Sequence, residues 1–378
     1  MTDVAKLLIA GGGTGGHVFP AIAVAQEWLR RGPMNTKSNA SAKREVLMVG
    51  TQNGLEAKLV PEAGLTLETI RVAGLKGIGG MKLVRNTAML GLGLWDSAEI
   101  LRRHEFEFSA AFGVGGYASG PMMMLAAMRG VPTVLFEPNR EPGFTNRLLA
   151  RFSTRIATGF NETAARFGSK ATATGNPVRA EFFNAPRHRP HRSLFTLLVT
   201  GGSRGAHAIN EAMIGALGLL VPKKNQLFVV HQTGEHDYNA VREAYARLEF
   251  NAEVSPFIGN MAERFAQADL IVCRSGAITV AEVAAAGRAA IFIPFGAATD
   301  SHQLRNAQFM AQSGAGRVIP QDQLKPQRLA KEILSLLDQS AVAGQPPKIE
   351  EIEERAHALG RPRAVADIVD IIEGVVRK

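Results

Sequence analysis

Two segments of this chain share an outline: "IAGGGTGGHVFP" at 9–20 and "VTGGSRGAHAIN" at 199–210. Each is a short apolar run that ends in glycines and passes directly into residues of helical character. A glycine turn between strand and helix is the signature of a doubly wound α/β sheet. The tight turn needs residues without a Cβ, and the helix N-terminus behind it favours negative charge. Its occurrence twice, from residue 9 and again from residue 199, predicts two such units in tandem.

The remaining pattern agrees. Strands are predicted at "KLLIAG" (6–11), "REVLMVGT" (44–51), "TLETIRVAG" (66–74), "SAAFGVGG" (109–116), "VPTVLFEPN" (131–139), "RIATGF" (155–160) and "KATATGNP" (170–177). After "NAPRHRPHR" (184–192), which has no periodicity and reads as a linker, the alternation restarts. The second set is "SLFTLLVTGG" (193–202), "QLFVVHQTG" (226–234), "EVSPFIG" (253–259), "DLIVCRSG" (269–276), "AAIFIPFG" (289–296) and "GRVIP" (316–320). Helical stretches intervene, so the sheets are expected to be parallel. The chain's 378 residues suffice for two cores, and 46% hydrophobic with 20% charged residues is a globular composition.

Cys273 is the single cysteine, which excludes an internal disulfide and a thiolate zinc site. The net charge of +9 fits an anionic partner or a basic surface kept for solubility. With two Trp and three Tyr the aromatic-rich RNA-binding patterns are missing, so nucleic acid is not expected. The N-terminal apolar stretch is too short for a signal peptide and no long uncharged apolar run follows, so a cytoplasmic protein is expected.

Gly11, Gly13 and Gly16 satisfy the dinucleotide pattern G-x-G-x-x-G. The second strand, however, closes on Gly50, Thr51 and Gln52, with no acidic residue placed to hold a ribose hydroxyl, which weighs against an NAD-dependent oxidoreductase. The second turn, Gly201 to Gly205, departs from that pattern. Two phosphate-friendly turns at matching points of two sheets would face each other across a cleft and suit a two-part ligand or two ligands.

Eight ordered blocks extend this reading: "GGGTGGHVFPAIAVA", "GVGGYASGP", "EPN" followed by "PGFTNR", "GNPVR", "GGSRGA", "PFIGNMAE", "RSGAITVAE" and "ATDSHQLRNA". Together they resemble the MurG family of bacterial peptidoglycan N-acetylglucosaminyltransferases, over nearly the whole chain. The resemblance implies a GT-B fold, two Rossmann-like doubly wound domains facing a cleft. It implies an acceptor and membrane-associating domain at 1–177, a UDP-GlcNAc-binding domain at 178–361, and a terminal helix at 362–378 packed back on the first. The implied reaction moves GlcNAc from UDP-GlcNAc to the C4 hydroxyl of the muramyl sugar of lipid I, with inversion, giving lipid II and UDP. No cofactor or metal is expected, and the chain has no D-x-D motif. The implied location is the cytoplasmic face of the inner membrane, as a peripheral protein with an anionic membrane surface and other cell-wall synthesis proteins as partners.

The resemblance also assigns residues. On the donor side it places Thr14, Gly15, Gly16, Asn139, Arg179, Ser203, the turn Gly276, Ala277, Ile278 and Thr279, Glu282 on the ribose, and the backbone of Ile258 on uracil. His302, Gln303 and Asn306 would select the GlcNAc hydroxyls, with Asp300 or Ser301 as an alternative cap for their helix. Gly13 and Tyr117 fall on the acceptor side. His17 leads as general base, with Glu137 as its rival, because an imidazole near its ordinary pKa accepts a proton at neutral pH. Taken without the resemblance, Arg179 is equally a surface ion-pair partner, Glu282 a solvated helix carboxylate and Ile258 a core residue. Membrane contact is expected from 75–85, where Lys76, Lys82 and Arg85 accompany apolar residues, and 86–101 is expected to be a helix covering the sheet, with Gly91 and Gly93 allowing close packing. Competing readings are another UDP-sugar transferase or epimerase of the same architecture, and a non-catalytic scaffold.

Overall fold

Every pairing between the strands of both sheets is parallel. The computed structural model describes residues 4–34, 41–72, 81–105, 107–186, 194–296, 301–338 and 348–376, with the backbone alone for 81–88 and 348. The chain divides into one unit of Met1–Val178 with Arg363–Lys378, and another of Arg179–Pro362.

The first unit holds β1 (Val4–Gly11), β2 (Lys43–Gly50), β3 (Leu67–Thr69), β4 (Ala110–Gly115), β5 (Thr133–Glu137), β6 (Arg155–Thr158) and β7 (Ala171–Ala173). Their order is β3-β2-β1-β4-β5-β6-β7, so the direction of winding reverses between β1 and β4. Leu7, Leu8, Ile9 and Ala10 are all buried although they alternate faces, as a central strand covered on both sides requires. One cover is the helix Gly15–Arg30, whose stripe of Val18, Ala21, Val24, Ala25 and Trp28 follows the helical period.

The second unit holds β8 (Phe195–Thr200), β9 (Leu227–Gln232), β10 (Ala252–Ser255), β11 (Leu270–Cys273), β12 (Ala289–Phe292) and β13 (Arg317–Val318), ordered β10-β9-β8-β11-β12-β13. Its winding reverses between β8 and β11. The run "EVSPFIG" yields a strand only as far as Ser255, because Pro256 has no N–H for the ladder.

The helix Ala364–Val376 packs in the core of the first unit, with Ile368, Val369 and Ile372 against the same cluster as Trp28 and Ile9. Its charged edge is fixed too: Glu373 accepts from Arg44 at 2.8 Å and from Arg31 at 3.1 Å, and Arg31 also reaches Asp370 at 2.6 Å. The helix Met81–Arg103 buries Ser97, Ile100 and Leu101. Gly93 permits close packing as expected, since a Cβ there would stand 2.3 Å from Val72, whereas Gly91 faces open space. Among the described residues, no helix is long and apolar enough to cross a membrane.

Candidate active site

In both units the glycine turns stand where the winding reverses, at the carboxyl ends of the central strands, which is where ligands bind in open α/β sheets. In the first unit the turn after β1 meets the turn after β4. Gly11 pairs with Gly115 across a register shift, and a Cβ on Gly116 would come within 2.4 Å of the Gly12 carbonyl oxygen. Gly13, Gly115 and Gly116 have φ of +90°, +94° and +81°, values that disfavour any residue with a Cβ.

His17 lies in the first turn of the helix behind Gly13, half-buried. Its Nδ1 is 3.2 Å from Thr14 Oγ1, and its Cδ2 and Nε2 lie over Gly115, each 3.1 Å from where a Cβ would be. Desolvation lowers the imidazole pKa below its ordinary value; the charge of Glu56 and a hydrogen bond to Gly12 oppose the shift. The ring is therefore neutral and able to accept a proton at neutral pH.

Glu137, at the end of β5, is 1% exposed, and its carboxylate accepts four hydrogen bonds. These come from Asn139 N at 3.0 Å, Asn139 Nδ2 at 3.1 Å, Gly143 N at 2.8 Å and Asn146 Nδ2 at 3.0 Å. Four donors occupy the lone-pair directions a base would use, so the geometry makes Glu137 the clamp of the 138–146 loop. Tyr117, by contrast, is exposed next to Gly116.

In the second unit the helix Ala277–Ala286 begins at Gly276, placing the positive end of its dipole at Gly276, Ala277, Ile278 and Thr279. Glu282 sits on that helix, half-buried, and burial pushes its carboxyl up to about 7 while Arg179 pulls it back down. Arg179 is exposed, with its guanidinium 5.2 Å from the centre of the Phe182 ring. Ser203 is exposed in the turn after β8, between Gly202 and Gly205, both at positive φ.

Several expected ligand groups are engaged within the protein. The Ile258 N–H donates to Gln232 Oε1 at 2.9 Å. Asn306 has 0% exposure and donates to the Ser275 carbonyl at 3.2 Å, so it fastens the turn before the helix Ala277–Ala286 to the helix His302–Gln312. Gln303 accepts from Phe295 N at 2.9 Å, and its own carbonyl accepts from Ser275 Oγ at 2.9 Å. His302 is half-buried at that helix's start. Ser301 provides no side-chain cap, and Asp300 lies outside the described residues.

Two buried residues were not anticipated. Glu56 accepts from Gly13 N, Thr51 N and Thr51 Oγ1, each at 2.7 Å. Gln232, at the end of β9, uses its Nε2 on the Gly202 carbonyl at 2.8 Å and its Oε1 on Ile258, joining two loops of the second unit. The signal for Gln232 was in the sequence: three polar residues, His231 to Thr233, close an otherwise apolar run and all are buried.

Among the described residues one group could hold a metal ion, His207, His236 and Asp237, with ligand atoms within 4.8 Å of one another. The two imidazoles lie 3.1 and 2.7 Å from the Asp237 carboxylate, and Asn210 donates to it at 2.7 Å, so the cluster is accounted for by its own hydrogen bonds. The stretch 75–80 lies outside the described residues, as do the side chains of 81–88. A described surface of similar chemistry occurs at Phe144, Leu148 and Phe152, exposed at four-residue spacing with Arg147 and Arg151 between them.

Residues 7–158 match the N-terminal domain of glycosyltransferase family 28, and residues 196–359 match its C-terminal domain. The crystal structure of Acinetobacter baumannii MurG superposes with a TM-score of 0.75 at 29% identity, covering 98% of this chain and 99% of that one. The UDP-N-acetylglucosamine–N-acetylmuramyl-(pentapeptide) pyrophosphoryl-undecaprenol N-acetylglucosamine transferase of Pelobacter propionicus is 43% identical over 97% of this chain and 98% of its own length. The chain belongs to the MurG branch of glycosyltransferase family 28. A second member of that branch, the transferase of the same name from Syntrophus aciditrophicus, is 41% identical over 98% of this chain and 99% of its own. The GT-B architecture of the family and its N-acetylglucosaminyltransferase activity accord with two parallel-sheet units whose glycine turns stand at the points of reversal.

Proposed function

We propose that this chain transfers GlcNAc from UDP-GlcNAc to the C4 hydroxyl of the N-acetylmuramyl sugar of lipid I, forming the β-1,4 link of lipid II and releasing UDP. The observation that carries this is the 43% identity, over 97% of the chain, to a transferase named for those substrates. In this reading the acceptor oxygen attacks the anomeric carbon from the face opposite UDP, the bond from that carbon to the phosphate oxygen breaks, and His17 takes the hydroxyl proton. The negative charge leaving with UDP is stabilised by the N-terminus of the helix at Ala277 and by Arg179 and Ser203. Glu282 receives the ribose hydroxyls, the Ile258 carbonyl reads uracil, and His302 and Gln303 face the sugar. Thr14, Gly15, Gly16 and Asn139 remain with the donor, and Gly13 and Tyr117 with the acceptor. Glu137 and Asn306 act by holding loops in place.

The acceptor's lipid tail implies peripheral membrane attachment. Phe144, Leu148 and Phe152 offer apolar surface and Arg147 and Arg151 offer charge for an anionic headgroup layer. The test is transfer of labelled GlcNAc to a short-chain lipid I analogue. His17→Ala is expected to bind UDP-GlcNAc normally and to lose about 10²–10⁴ in kcat. Donor binding without any transfer by the parent would discard lipid I as acceptor and leave a different UDP-sugar reaction.

A further inference from the structure

Glu56 is 0% exposed and opens the helix Glu56–Glu62, 43 residues beyond the turn it holds. Three separate glycines make room for its carboxylate. A Cβ on Gly12, Gly50 or Gly54 would come within 2.2, 2.5 or 2.1 Å of its side-chain atoms. Its hydrogen-bond donors are two backbone amides and a hydroxyl, and among the described residues no Lys or Arg pairs with it. Removing a carboxylate from water without a cation is costly, and a turn that needed only to be held could be held by a neutral amide. The retained charge therefore calls for something on which it acts. The imidazole of His17 lies against Thr14 Oγ1, the Gly12 carbonyl and the backbone of Gly115, while the Glu56 carboxylate lies against Gly12 and on the Gly13 N–H of the same turn and is the charged group that acts on the ring.

We propose that Glu56 is a positioning residue for His17: it clamps the turn at Gly13 and supplies the fixed negative charge against which the imidazolium forms as the acceptor's proton arrives. This rests on His17 being the base. The proton moves from the acceptor hydroxyl to the imidazole and is not passed on to Glu56, much as a buried aspartate stabilises a catalytic histidine in hydrolases. Glu56 touches neither substrate, so its effect falls on turnover and not on donor affinity.

The test compares Glu56→Gln, which keeps the shape and removes the charge, with Glu56→Asp, which keeps the charge on a shorter arm. Each is followed by the His17 ring-proton titration in NMR and by the pH dependence of kcat and KM. For Glu56→Gln we expect a His17 midpoint lower than in the parent, an acid limb of kcat/KM displaced the same way, kcat reduced at least about tenfold and donor KM within about twofold. Glu56→Asp should restore the His17 midpoint and part of kcat. An unchanged His17 midpoint in Glu56→Gln, or an Asp variant as slow as Gln with the midpoint restored, reduces Glu56 to a clamp and overturns the proposal. If Glu56→Gln does not fold, Glu56→Asp decides: a kcat that tracks the His17 midpoint, both near the parent's values or both lowered, supports it, and a kcat lost while the midpoint stays at the parent's value overturns it. Full turnover by His17→Gln would refute the base assignment itself; a shifted midpoint in Glu56→Gln would then remain as coupling without a catalytic consequence, and the proposal would fall with that assignment.

Discussion

Glu282 is the group whose ionisation is best placed to be seen. Burial brings its carboxyl to about 7, so the pH range in which the enzyme is assayed is the range in which this side chain changes charge. If the ribose hydroxyls donate to the ionised form, affinity follows the ionised fraction, roughly 9% at pH 6 and roughly 91% at pH 8, a change of about tenfold. UDP-GlcNAc itself keeps a constant charge over this range, because neither of its phosphates has a second ionisation. Calorimetric titration at pH 6, 7 and 8 is expected to show that tightening, and Glu282→Gln is expected to bind weakly and without the slope. Stability runs the other way. A carboxyl raised above its ordinary value holds its proton in the folded chain between about 4.5 and 7, where the unfolded chain releases it. Its contribution is thus greatest below that window and is lost as the pH rises through 7. Without ligand, Glu282→Gln should melt higher than the parent at pH 8, and the gap should close by pH 5. Affinity constant within twofold from pH 6 to 8, or a Gln variant with the same slope as the parent, would refute the assignment of that carboxylate to the ribose.

Gly115→Ala forces a Cβ to 3.1 Å from the His17 ring at a φ of +94°, and is expected to cost about 1–2 kcal/mol and to reduce kcat more than donor KM, read by steady-state kinetics. Gln232→Ala leaves the Ile258 N–H without its partner and the Gly202 carbonyl with the Gly205 N–H alone; a loss of about 1–3 kcal/mol and a raised donor KM should appear together in melting and kinetics. Glu373→Ala strands the buried Arg44 guanidinium, for which about 3–5 kcal/mol and a melting point lower by roughly 6–20 °C are expected by calorimetry. Phe144→Ser with Phe152→Ser should abolish flotation with anionic vesicles, while Arg147→Gln weakens it about fivefold at low salt only.

The parallel sheets and both glycine turns were legible because each rests on a local pattern: an apolar run, a residue without a Cβ, a helical period. The side chains that hold those turns were not. Glu56 lies in "GTQNGLEAKL", where it looks like any glutamate opening a helix, and its partner Gly13 is 43 residues away. The trace it did leave is indirect, in Gly50 and Gly54, which are small because a carboxylate occupies the space beside them. Asn306 and the Ile258 amide show the converse. The family resemblance marked them as donor contacts, and what it does not carry is that the Asn306 amide and the Ile258 N–H bond to the protein's own Ser275 carbonyl and Gln232 side chain. The strand ends erred for a local reason, since hydrophobicity continues past Ser255 where the hydrogen-bond ladder cannot.

The return of the helix Ala364–Val376 to the first unit also fixes the order in which the chain can be completed during synthesis. The second unit, Arg179–Pro362, is contiguous and can close around its own apolar cluster once it has emerged from the ribosome. The first unit, although made earlier, lacks Ile368, Val369 and Ile372 until the final stretch is translated. At about 5–20 residues per second that interval is roughly 10–40 s. For that time the face of the helix Gly15–Arg30 beneath Ile368 is without its cover, so the nascent first unit is the part of this protein on which chaperones and proteases have longest to act.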